Sequence, residues 1–499
     1  MEESKIIQHF EGKTILITGS TGFLAKIFLE KILRLQPNVK KLYLLLRASH
    51  KISVQQRLEE EVVGTELFGV LRKELGGDFE SMISSKVVAI SGDVGYENLG
   101  IIDVQLRHQM WREIDVIVNS AATTKFDERY DIAYGINSLG AMHVQDFGTK
   151  CSKLEMLLHV STAYVHGTKV GLMPEKPFRM GETLPGAKIP YLDIEAEKSV
   201  IQERLRFLQM QKLSEKEITR AMKDFGIERA MLHGWPNTYV FTKAMGEMLL
   251  ERSNQNCNVV IIRPTIITST FKDPFHGWIE GLRTLDSIFV AYGKGKIKFF
   301  VGDPESVVDL VPGDMVVNCM IAAIAIASHS NSISEKEGIR VYQIGSSRRN
   351  PVKYDKLRWL MHRYLNNNPL SDSCGKPVKI GPPIIMNTMT SFHNYISFHY
   401  LPFVQMLGLA NMICCNLFES SYTNAKRRIN HAMRLADLYK PYLFSQAIFD
   451  DSNTETLRMR MRGSKIDTEL FNFDPKCIMW DDYILNTHFL GIAKYVLNC

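Results

Sequence analysis

One stretch near the N-terminus decides the fold: KTILITGSTGFLAKIFLEKIL, residues Lys13–Leu33. A short apolar run comes first, then a glycine turn, then apolar residues spaced as on one face of a helix. This order predicts a strand, a turn and a helix whose N-terminus binds a pyrophosphate through backbone amides. The predicted contacts are Gly19, Ser20, Thr21, Gly22, Phe23 and Leu24.

Three small residues have separate tasks in this stretch. Gly19 lets the chain turn sharply, Gly22 leaves room for the pyrophosphate, and Ala25 allows the helix to pack closely on the strand. An ordinary strand-to-helix turn without a ligand has the same local pattern. The dinucleotide interpretation is favoured because the turn opens the first strand–helix unit, where this fingerprint belongs.

Composition sets broad limits on the class of protein. A length of 499 residues exceeds what one hydrophobic core usually serves, so two domains are expected. Hydrophobic residues make up 45% of the chain, which is ordinary for a globular protein. The net charge is +6 without any Lys/Arg-rich run, which argues against nucleic acid as a partner. A mildly basic surface suits an anionic ligand or a membrane.

Cysteine spacing and apolar segments point to a cytosolic protein. The eight cysteines show neither CxxC pairs nor metal-ligand spacing, so we interpret them as reduced structural thiols and predict no metal. Met1–Glu11 resembles neither a signal peptide nor a transit peptide. The windows Met315–Ala327 and Leu401–Phe418 are too short for a membrane span or contain Asn and Gln, so no transmembrane segment is predicted.

Short apolar runs alternate with helical patterns through the first two thirds of the chain. This rhythm predicts an α/β fold, a doubly wound parallel Rossmann sheet that binds ligands at the carboxyl ends of its strands. After the first strand, the predicted strands are Lys41–Leu46, Lys86–Ser91, Asp115–Val118, Met156–Tyr164, Val259–Ile262 and Gly338–Ile344.

Arg47 follows the second strand, where a fold that prefers NAD has a carboxylate. With Ser49 and Lys51 nearby, Arg47 is predicted to bind the 2′-phosphate of NADPH in a charge-assisted contact. The alternative interpretation is a solvated arginine.

Polar and small residues follow the next strands at the same edge of the sheet. Asp93 and Val94 are predicted to lie near the adenine, and Ala121 is small enough to let the cofactor lie against the backbone. Ser161 is placed beside a bound carbonyl, and Pro264 fixes the backbone near the nicotinamide carboxamide.

Reduction of a carbonyl also requires a proton donor. A tyrosine with a lysine four residues later places both side chains on one helix face. The chain contains three such pairs: Tyr239/Lys243, Tyr292/Lys296 and Tyr422/Lys426. Glycines interrupt the second pair and the third lies far beyond the sheet, so the first pair remains. It opens a predicted helix, Phe241–Leu250.

The Tyr239/Lys243 pair predicts acid catalysis. A free tyrosine has a pKa of about 10, and a neighbouring ammonium is expected to lower it. Tyr239 then donates a proton to the substrate oxygen as hydride reaches the carbon, while the Ser161 hydroxyl bonds to the same oxygen. Tyr239 and Lys243 are both predicted to contact the cofactor, and Lys243 is expected to hold its nicotinamide ribose. A tyrosine that merely packs on its helix is the alternative interpretation.

These motifs resemble the extended short-chain dehydrogenase/reductase family over roughly Gly12–Gly345. Longer runs resemble the plant alcohol-forming fatty acyl-CoA reductases. They are Val39–Arg47, Ala121–Glu128, Gly234–Tyr239, Ser269–Phe271, Pro274–Phe275, Gly277–Trp278 and Asp450–Thr454. The resemblance implies NADPH-dependent reduction of a long-chain or very-long-chain fatty acyl-CoA to a primary alcohol, in two hydride steps through an aldehyde. It matches Tyr239 and Lys243 to the active-site pair and Gly19–Ala25 to the cofactor loop.

Two reductions at one site are chemically reasonable. Hydride addition to a thioester gives a hemithioacetal, whose thiolate leaves far more easily than an alkoxide. The same Tyr239 and Ser161 then serve the aldehyde, provided that an apolar channel retains it. No cysteine thioester is needed, and Cys257 before the sixth strand is poorly placed to form one.

The predicted layout is a reductase domain, residues 1–385, and a helical C-terminal domain, residues 386–499. Inserts at 167–233, with a charged helix Ile194–Leu213, and at 266–330 are predicted to cap the substrate cleft. A cluster of lysines either binds the CoA phosphates or forms a solvated loop. Its members are Lys294, Lys296 and Lys298.

Two apolar stretches, Tyr400–Phe418 and Tyr483–Leu497, belong either to the core or to a surface that rests on a bilayer. We expect a core with peripheral membrane contact. By analogy to relatives without an N-terminal extension, the expected location is the cytosolic face of the endoplasmic reticulum, with the cytoplasm as the alternative.

Three other functions share part of this pattern. An extended short-chain dehydrogenase acting on a sugar nucleotide or sterol has the same loop and Tyr/Lys pair, but leaves the helical C-terminal region unexplained. A non-catalytic dinucleotide-binding scaffold is disfavoured by the intact Ser161, Tyr239 and Lys243. A reductase that stops at the aldehyde differs only in its product.

Overall fold

The computed structural model describes residues 4–48, 52–252, 257–328, 338–372 and 374–497. The opening stretch forms the predicted strand Thr14–Thr18, buried throughout, and the helix Phe23–Leu35, with Gly22 as its N-cap. Ser49 and Lys51, the predicted companions of Arg47, lie outside the described residues.

Seven parallel strands form the central sheet of the described chain. They are β1 (Thr14–Thr18), β2 (Lys41–Leu46), β3 (Val87–Ser91), β4 (Val116–Asn119), β5 (Met156–Val160), β6 (Val259–Pro264) and β7 (Arg340–Ile344). Their order across the sheet is β7-β6-β5-β4-β1-β2-β3. Thr18 in β1 pairs with Leu45 in β2 on one side and Asn119 in β4 on the other. The strand order reverses there, at the switch point where such sheets bind ligands, and the predicted fold is confirmed.

Strand β5 ends earlier than the predicted run Met156–Tyr164. The Thr162 side chain accepts a hydrogen bond from the Tyr164 N–H and caps a short 3-10 turn, Ala163–His166. Because the chain leaves the sheet after Val160, Ser161 and Thr162 lie at its carboxyl edge.

The helix that carries Tyr239 and Lys243 spans Thr238–Arg252, longer at both ends than predicted. The Asn237 side-chain oxygen accepts a hydrogen bond from the Val240 N–H at 3.1 Å, in the manner of an asparagine N-cap. Tyr239 therefore lies in the first turn of the helix.

The other α-helices of the described chain flank the sheet, form the insert or follow β7. Those before β7 are Lys5–His9, Val54–Arg57, Gly69–Leu75, Phe79–Lys86, Val104–Glu113, Tyr130–Ala133, Gly140–Thr149, Ile194–Met210, Glu215–Leu232, Thr284–Gly293 and Gly313–Ser328. Those after β7 are Tyr354–Asn367, Met389–His399, Leu401–Ile413, Glu419–Leu443, Ser452–Met461, Lys465–Leu470, Trp480–Tyr483 and Phe489–Ile492. Short parallel strand pairs are Ile266–Thr268 with Leu310–Pro312, Phe299–Val301 with Ile384–Met386, and Gly171–Met173 with Ala447–Phe449.

The insert before Tyr239 contains two helices where one charged helix was predicted. The first ends at Met210, and a capping box of Ser214 and Glu217 starts the second, Glu215–Leu232. This break matches the sequence signature of a helix start, because a serine is followed three residues later by glutamate.

The C-terminal region is helical, as predicted, and its parts differ in burial. Residues from Leu457 to Ile492 share one hydrophobic core with β1, whereas Leu401–Ile413 is mostly exposed. The domain boundary at residue 385 stays a prediction. Among the helices that the structure describes, none is both long enough and apolar enough to cross a membrane.

Candidate active site

A cleft of about 600 Å³ opens at the carboxyl ends of β5 and β6. It brings together residues that the sequence predicts to be catalytic or cofactor-binding. They are Gly22, Phe23, Leu24, Ser161, Tyr239, Lys243 and Pro264. Strand ends and the first turns of two helices position them, as expected for a parallel sheet.

Tyr239 contacts the end of β5 through Thr162, whose hydroxyl hydrogen-bonds to the phenol. Burial raises the pKa of Tyr239 to about 12, while this hydrogen bond and the Arg283 charge act in the opposite direction. The sequence predicts that Lys243 lowers this pKa, which is wrong for this structure because burial dominates. A phenol with a raised pKa keeps its proton at neutral pH and is available as a donor.

Lys243 lies one helical turn after Tyr239. Its ammonium is buried and donates a hydrogen bond to the Val160 carbonyl oxygen at 2.7 Å. Burial lowers the pKa of Lys243 to about 8, and the Glu247 carboxylate acts in the opposite direction. Glu247 in turn accepts a hydrogen bond at 2.9 Å from the buried Arg263 guanidinium. Beneath the cleft, the Val160 carbonyl oxygen therefore holds the Lys243 ammonium, and the buried Glu247–Arg263 ion pair lies close to it.

Ser161 lines the cleft, and its buried hydroxyl has no hydrogen-bond partner among the described residues. Leaving a buried hydroxyl unpaired costs free energy, which a polar ligand atom in the cleft offsets. The catalytic role of Ser161 stays a prediction. Thr162, which the sequence marks only as the neighbour of Ser161, is the hydroxyl that contacts Tyr239.

The glycine turn fits a dinucleotide. Gly22, Phe23 and Leu24 line the cleft, and no side chain within the described chain caps the helix that they begin. A Cβ on Gly22 would lie 2.9 Å from the Gly19 carbonyl oxygen, and one on Gly19 would lie 2.7 Å from the Ala121 nitrogen. Amide donors on a turn without side chains suit a pyrophosphate.

The remaining predicted cofactor residues lie outside the cleft lining, at the carboxyl ends of β1 to β4. They are Gly19, Ser20, Thr21, Arg47, Asp93, Val94 and Ala121. The Ser20 hydroxyl donates to the Ile17 carbonyl oxygen at 2.8 Å, and the Asp93 carboxylate accepts from the Gly95 N–H at 2.9 Å. Arg47 is exposed. Their contacts with a cofactor stay predictions.

One wall of the cleft comes from the C-terminal helix Glu419–Leu443, which the sequence reasoning missed. Its lining residues are Leu435, Leu438, Tyr439 and Tyr442. Phe126 stacks on Tyr239 with ring centroids 6.1 Å apart, and lies 5.2 and 5.1 Å from the rings of Tyr439 and Tyr442. The Asn237 amide donates to the Tyr442 hydroxyl at 2.8 Å. No spacing rule predicts contacts between such distant residues.

Comparisons with known proteins identify the family. Two family models, both described as male sterility protein, match residues 17–320 and 398–499. The chain is 48% identical to the alcohol-forming fatty acyl-CoA reductase of Simmondsia chinensis over 499 residues, which is 100% of each chain. It is 50% identical to fatty acyl-CoA reductase 1 of Arabidopsis thaliana over 498 residues, 99% of this chain and 100% of the relative. The chain belongs to the fatty acyl-CoA reductase family.

A solved structure supports the fold over the whole chain. The reductase domain of a nonribosomal peptide synthetase from Mycobacterium tuberculosis aligns with a TM-score of 0.57, covering 99% of this chain and 96% of that one. The sequence identity is 16%, so this likeness shows the fold alone. The family resemblance predicted from the motifs is confirmed by the relatives.

A buried network ties the last helices of this reductase family member to the cleft. His488 Nε2 lies 3.1 Å from the Asp286 carboxylate, and His488 Nδ1 lies 3.2 Å from the Ser269 hydroxyl. The Tyr483 hydroxyl donates to the Ser269 carbonyl oxygen at 2.7 Å. Because Asp286 and Thr268 line the cleft, residues near the C-terminus position its wall.

Two further candidates lie away from the cleft. Burial raises the pKa of the Cys257 thiol to about 12, which keeps it protonated. The three lysines of the Lys294–Lys298 loop are exposed and do not line the cleft. Their predicted contact with CoA phosphates stays a prediction.

Proposed function

We propose that this chain reduces long-chain fatty acyl-CoA to primary fatty alcohol with NADPH, as the names of its relatives suggest. The observation that carries the proposal is the protonated, partly buried Tyr239 beside Thr162 and the unpaired Ser161 hydroxyl, in one cleft with the uncapped helix turn. This is the set of groups that carbonyl reduction needs: a proton donor, hydrogen-bond donors for the oxygen and a dinucleotide site.

NADPH supplies hydride when it is bound. The Phe23–Leu35 helix N-terminus is suited to its pyrophosphate, and Lys243 is suited to its ribose. The choice of NADPH over NADH rests on Arg47, a cation at the end of β2 where a carboxylate would favour NADH. Replacing Arg47 with aspartate should reverse the preference, so that the Kd for NADH becomes lower than the Kd for NADPH.

Tyr239 donates its proton to the substrate oxygen as negative charge develops there. A phenol of pKa about 12 is a stronger acid than the alcohol that is formed, so transfer is favourable. The Ser161 hydroxyl stabilises the same oxygen by a hydrogen bond, while the Thr162 hydroxyl contacts the phenol. In the first reduction the hemithioacetal releases CoA thiol, and the second reduction converts the aldehyde to the alcohol. The whole reaction consumes two NADPH and two protons.

The apolar part of the cleft suits retention of the aldehyde between the two steps. The side chains that form it include Ile266, Ile267, Leu282, Leu285, Leu435 and Leu438. An aliphatic chain gains about 0.8 kcal/mol for each buried methylene group, so a long chain holds the intermediate in place.

The decisive experiment compares Tyr239→Phe with the wild-type enzyme. We expect the variant to lose at least about 100-fold in turnover of acyl-CoA, because general acid catalysis typically contributes that much, and to bind NADPH with unchanged Kd in a fluorescence titration. Thr162→Val is expected to lose more activity than Ser161→Ala, since Thr162 contacts the phenol. Wild-type turnover retained in Tyr239→Phe would contradict the proposal.

Product analysis separates the alcohol-forming reaction from its alternatives. Gas chromatography is expected to detect fatty alcohol and only traces of aldehyde, with two NADPH consumed for each alcohol. Aldehyde as the end product would make the chain a one-step reductase. We also propose the cytosolic face of the endoplasmic reticulum as its location, which a fluorescent fusion imaged with a compartment marker tests.

A further inference from the structure

The end of the helix Met389–His399, the helix Leu401–Ile413 and the turn after it form an apolar tip, residues 398–418, which the described chain leaves largely uncovered. Its most exposed large side chains are Phe398, Phe403, Met406, Met412, Ile413 and Leu417, each between 58% and 80% exposed. No Asp, Glu, Lys or Arg occurs between residues 398 and 418. The described chain also exposes apolar side chains elsewhere, such as Leu172 and Ile448 on paired strands, which are 58% and 40% exposed.

The apolar tip has a defined structure. Val404 and Asn411 are buried on the inner face of the helix. The Asn411 amide donates to the Glu419 carboxylate at 2.7 Å, and its oxygen accepts from the Phe418 N–H at 3.0 Å. One face of the helix therefore packs against the chain while the opposite face points away from it.

The charges beyond the tip favour a lipid surface over a protein partner. Lys426, Arg427 and Arg428 are exposed on the next helix, two turns past the tip. Such a cluster is attracted to anionic headgroups. A helix of 13 residues is about 20 Å long, too short to cross the hydrocarbon core but suited to lie in the plane of the interface.

The same region is connected to the cleft. The helix Glu419–Leu443 begins directly after the tip, and its last three turns supply Leu435, Leu438, Tyr439 and Tyr442 to the cleft wall. A lipid surface at the tip is thus joined by one helix to the site that holds an acyl chain.

We propose that residues 398–418 insert into the interface of a phospholipid leaflet that contains anionic lipid, and so hold the cleft close to membrane-dissolved acyl chains. Docking stands on the exposed tip and the basic cluster alone. Only the supply of substrate rests on the proposed acyl-CoA reductase function.

Vesicle co-sedimentation tests docking with a matched pair of variants. Met406→Glu/Met412→Glu changes two residues of the tip that are 61% and 69% exposed, and Met210→Glu/Met479→Glu changes two that are 80% and 74% exposed elsewhere. With vesicles of phosphatidylcholine and phosphatidylserine, we expect wild type and control to bind equally and the tip variant to bind at least about tenfold more weakly. Equal binding by all three proteins, or no binding by wild type, would overturn the proposal.

The basic cluster has its own readout. Lys426→Ala/Arg427→Ala/Arg428→Ala should lose the preference for phosphatidylserine over pure phosphatidylcholine, by about fivefold for each cation removed. An unchanged preference would contradict the role of the cluster.

Sedimentation equilibrium tests whether a second copy of the chain covers the tip instead of lipid. If wild type is a dimer, and the tip variant is a monomer that binds vesicles as well as wild type does, the tip is a surface for self-association.

Activity measurements distinguish failure of docking from failure of the proposed function. With a short, water-soluble acyl-CoA the tip variant should match wild type, whereas with long-chain acyl-CoA in vesicles it should be several-fold slower. Equal rates in both assays contradict substrate supply from the leaflet. Absence of acyl-CoA reduction by wild type refutes the enzymatic proposal and leaves the vesicle result to judge docking.

Discussion

The two apolar stretches of the C-terminal region, Tyr400–Phe418 and Tyr483–Leu497, look alike in sequence and differ in burial. Phe403 is 58% exposed, whereas Phe489 is fully buried and stacks on Phe289 with ring centroids 4.2 Å apart. The later stretch also has polar anchors with distant partners, because His488 reaches Asp286. Asn411 lies in the earlier stretch, in a helical hairpin formed by Leu401–Ile413 and Glu419–Leu443. Its hydrogen-bond partners among the described residues all belong to this hairpin. Hydrophobicity alone therefore does not decide which stretch enters the core.

The largest expected effect is on stability when the same truncation is made in each stretch. Phe489→Ala removes a fully buried ring and should lower the free energy of unfolding by about 3–5 kcal/mol. Phe403→Ala removes an exposed ring and should change it by less than about 0.5 kcal/mol. Urea unfolding followed by fluorescence measures both. Similar losses in the two variants would mean that the exposed stretch is packed in solution.

The sheet could be predicted because each strand carries its signal locally. Lys41–Leu46 is predicted to the residue, since a run of apolar residues buried on both faces is bounded by polar ones. The end of β5 was misjudged because no glycine or proline interrupts the run from Val160 to Tyr164, whereas the Thr162 side chain caps a turn there. The local sequence pattern does not reveal where a side-chain cap ends the strand and its hydrogen bonds to neighbouring strands.

The sequence predicts only the part of the site that lies at the carboxyl edge of the sheet. Gly22, Ser161, Tyr239 and Lys243 meet because parallel strands end at one edge. The C-terminal wall and the Tyr483–Ser269 contact depend on residues more than 200 positions apart, which no periodicity encodes. The pKa of Tyr239 is set mainly by burial, which the sequence does not reveal. The direction of the pKa shift that was predicted from the spacing to Lys243 is therefore wrong.

Replacing one glycine with alanine in each stretch adds a single methyl group to each and extends the comparison. A Cβ on Gly491 would lie 1.9 Å from the Gly277 carbonyl oxygen, so Gly491→Ala should cost about 1–3 kcal/mol as the backbones separate. A Cβ on Gly408 would meet only the movable Tyr422 ring at 3.0 Å. Gly408→Ala should be neutral to within about 0.5 kcal/mol, because alanine also favours the helix. Unfolding midpoints compare the two, and equal losses would contradict the close backbone contact.

The polar anchor of the buried stretch gives a smaller effect with a functional readout. Tyr483→Phe leaves the Ser269 carbonyl oxygen without this donor and should lower the free energy of unfolding by about 1–2 kcal/mol. Because the adjacent Thr268 lines the cleft, KM for acyl-CoA should rise while NADPH affinity stays unchanged. Tyr400→Phe in the exposed stretch is the matched control and should alter neither quantity. An unchanged KM in Tyr483→Phe would separate the anchor from the cleft.

The smallest global effect is expected from the polar anchor of the exposed stretch. Asn411→Ala removes hydrogen bonds to Glu419 and to the Phe418 N–H, all within one hairpin. Since this hairpin contributes little to the main core, the unfolding midpoint should shift by less than the Tyr483→Phe change, and the loss should be local. Hydrogen exchange should accelerate in the turn 414–418 and stay unchanged in β1. Faster exchange in the sheet would show instead that the exposed stretch supports the core, and the two stretches would then differ in solvent exposure but not in their role in stability.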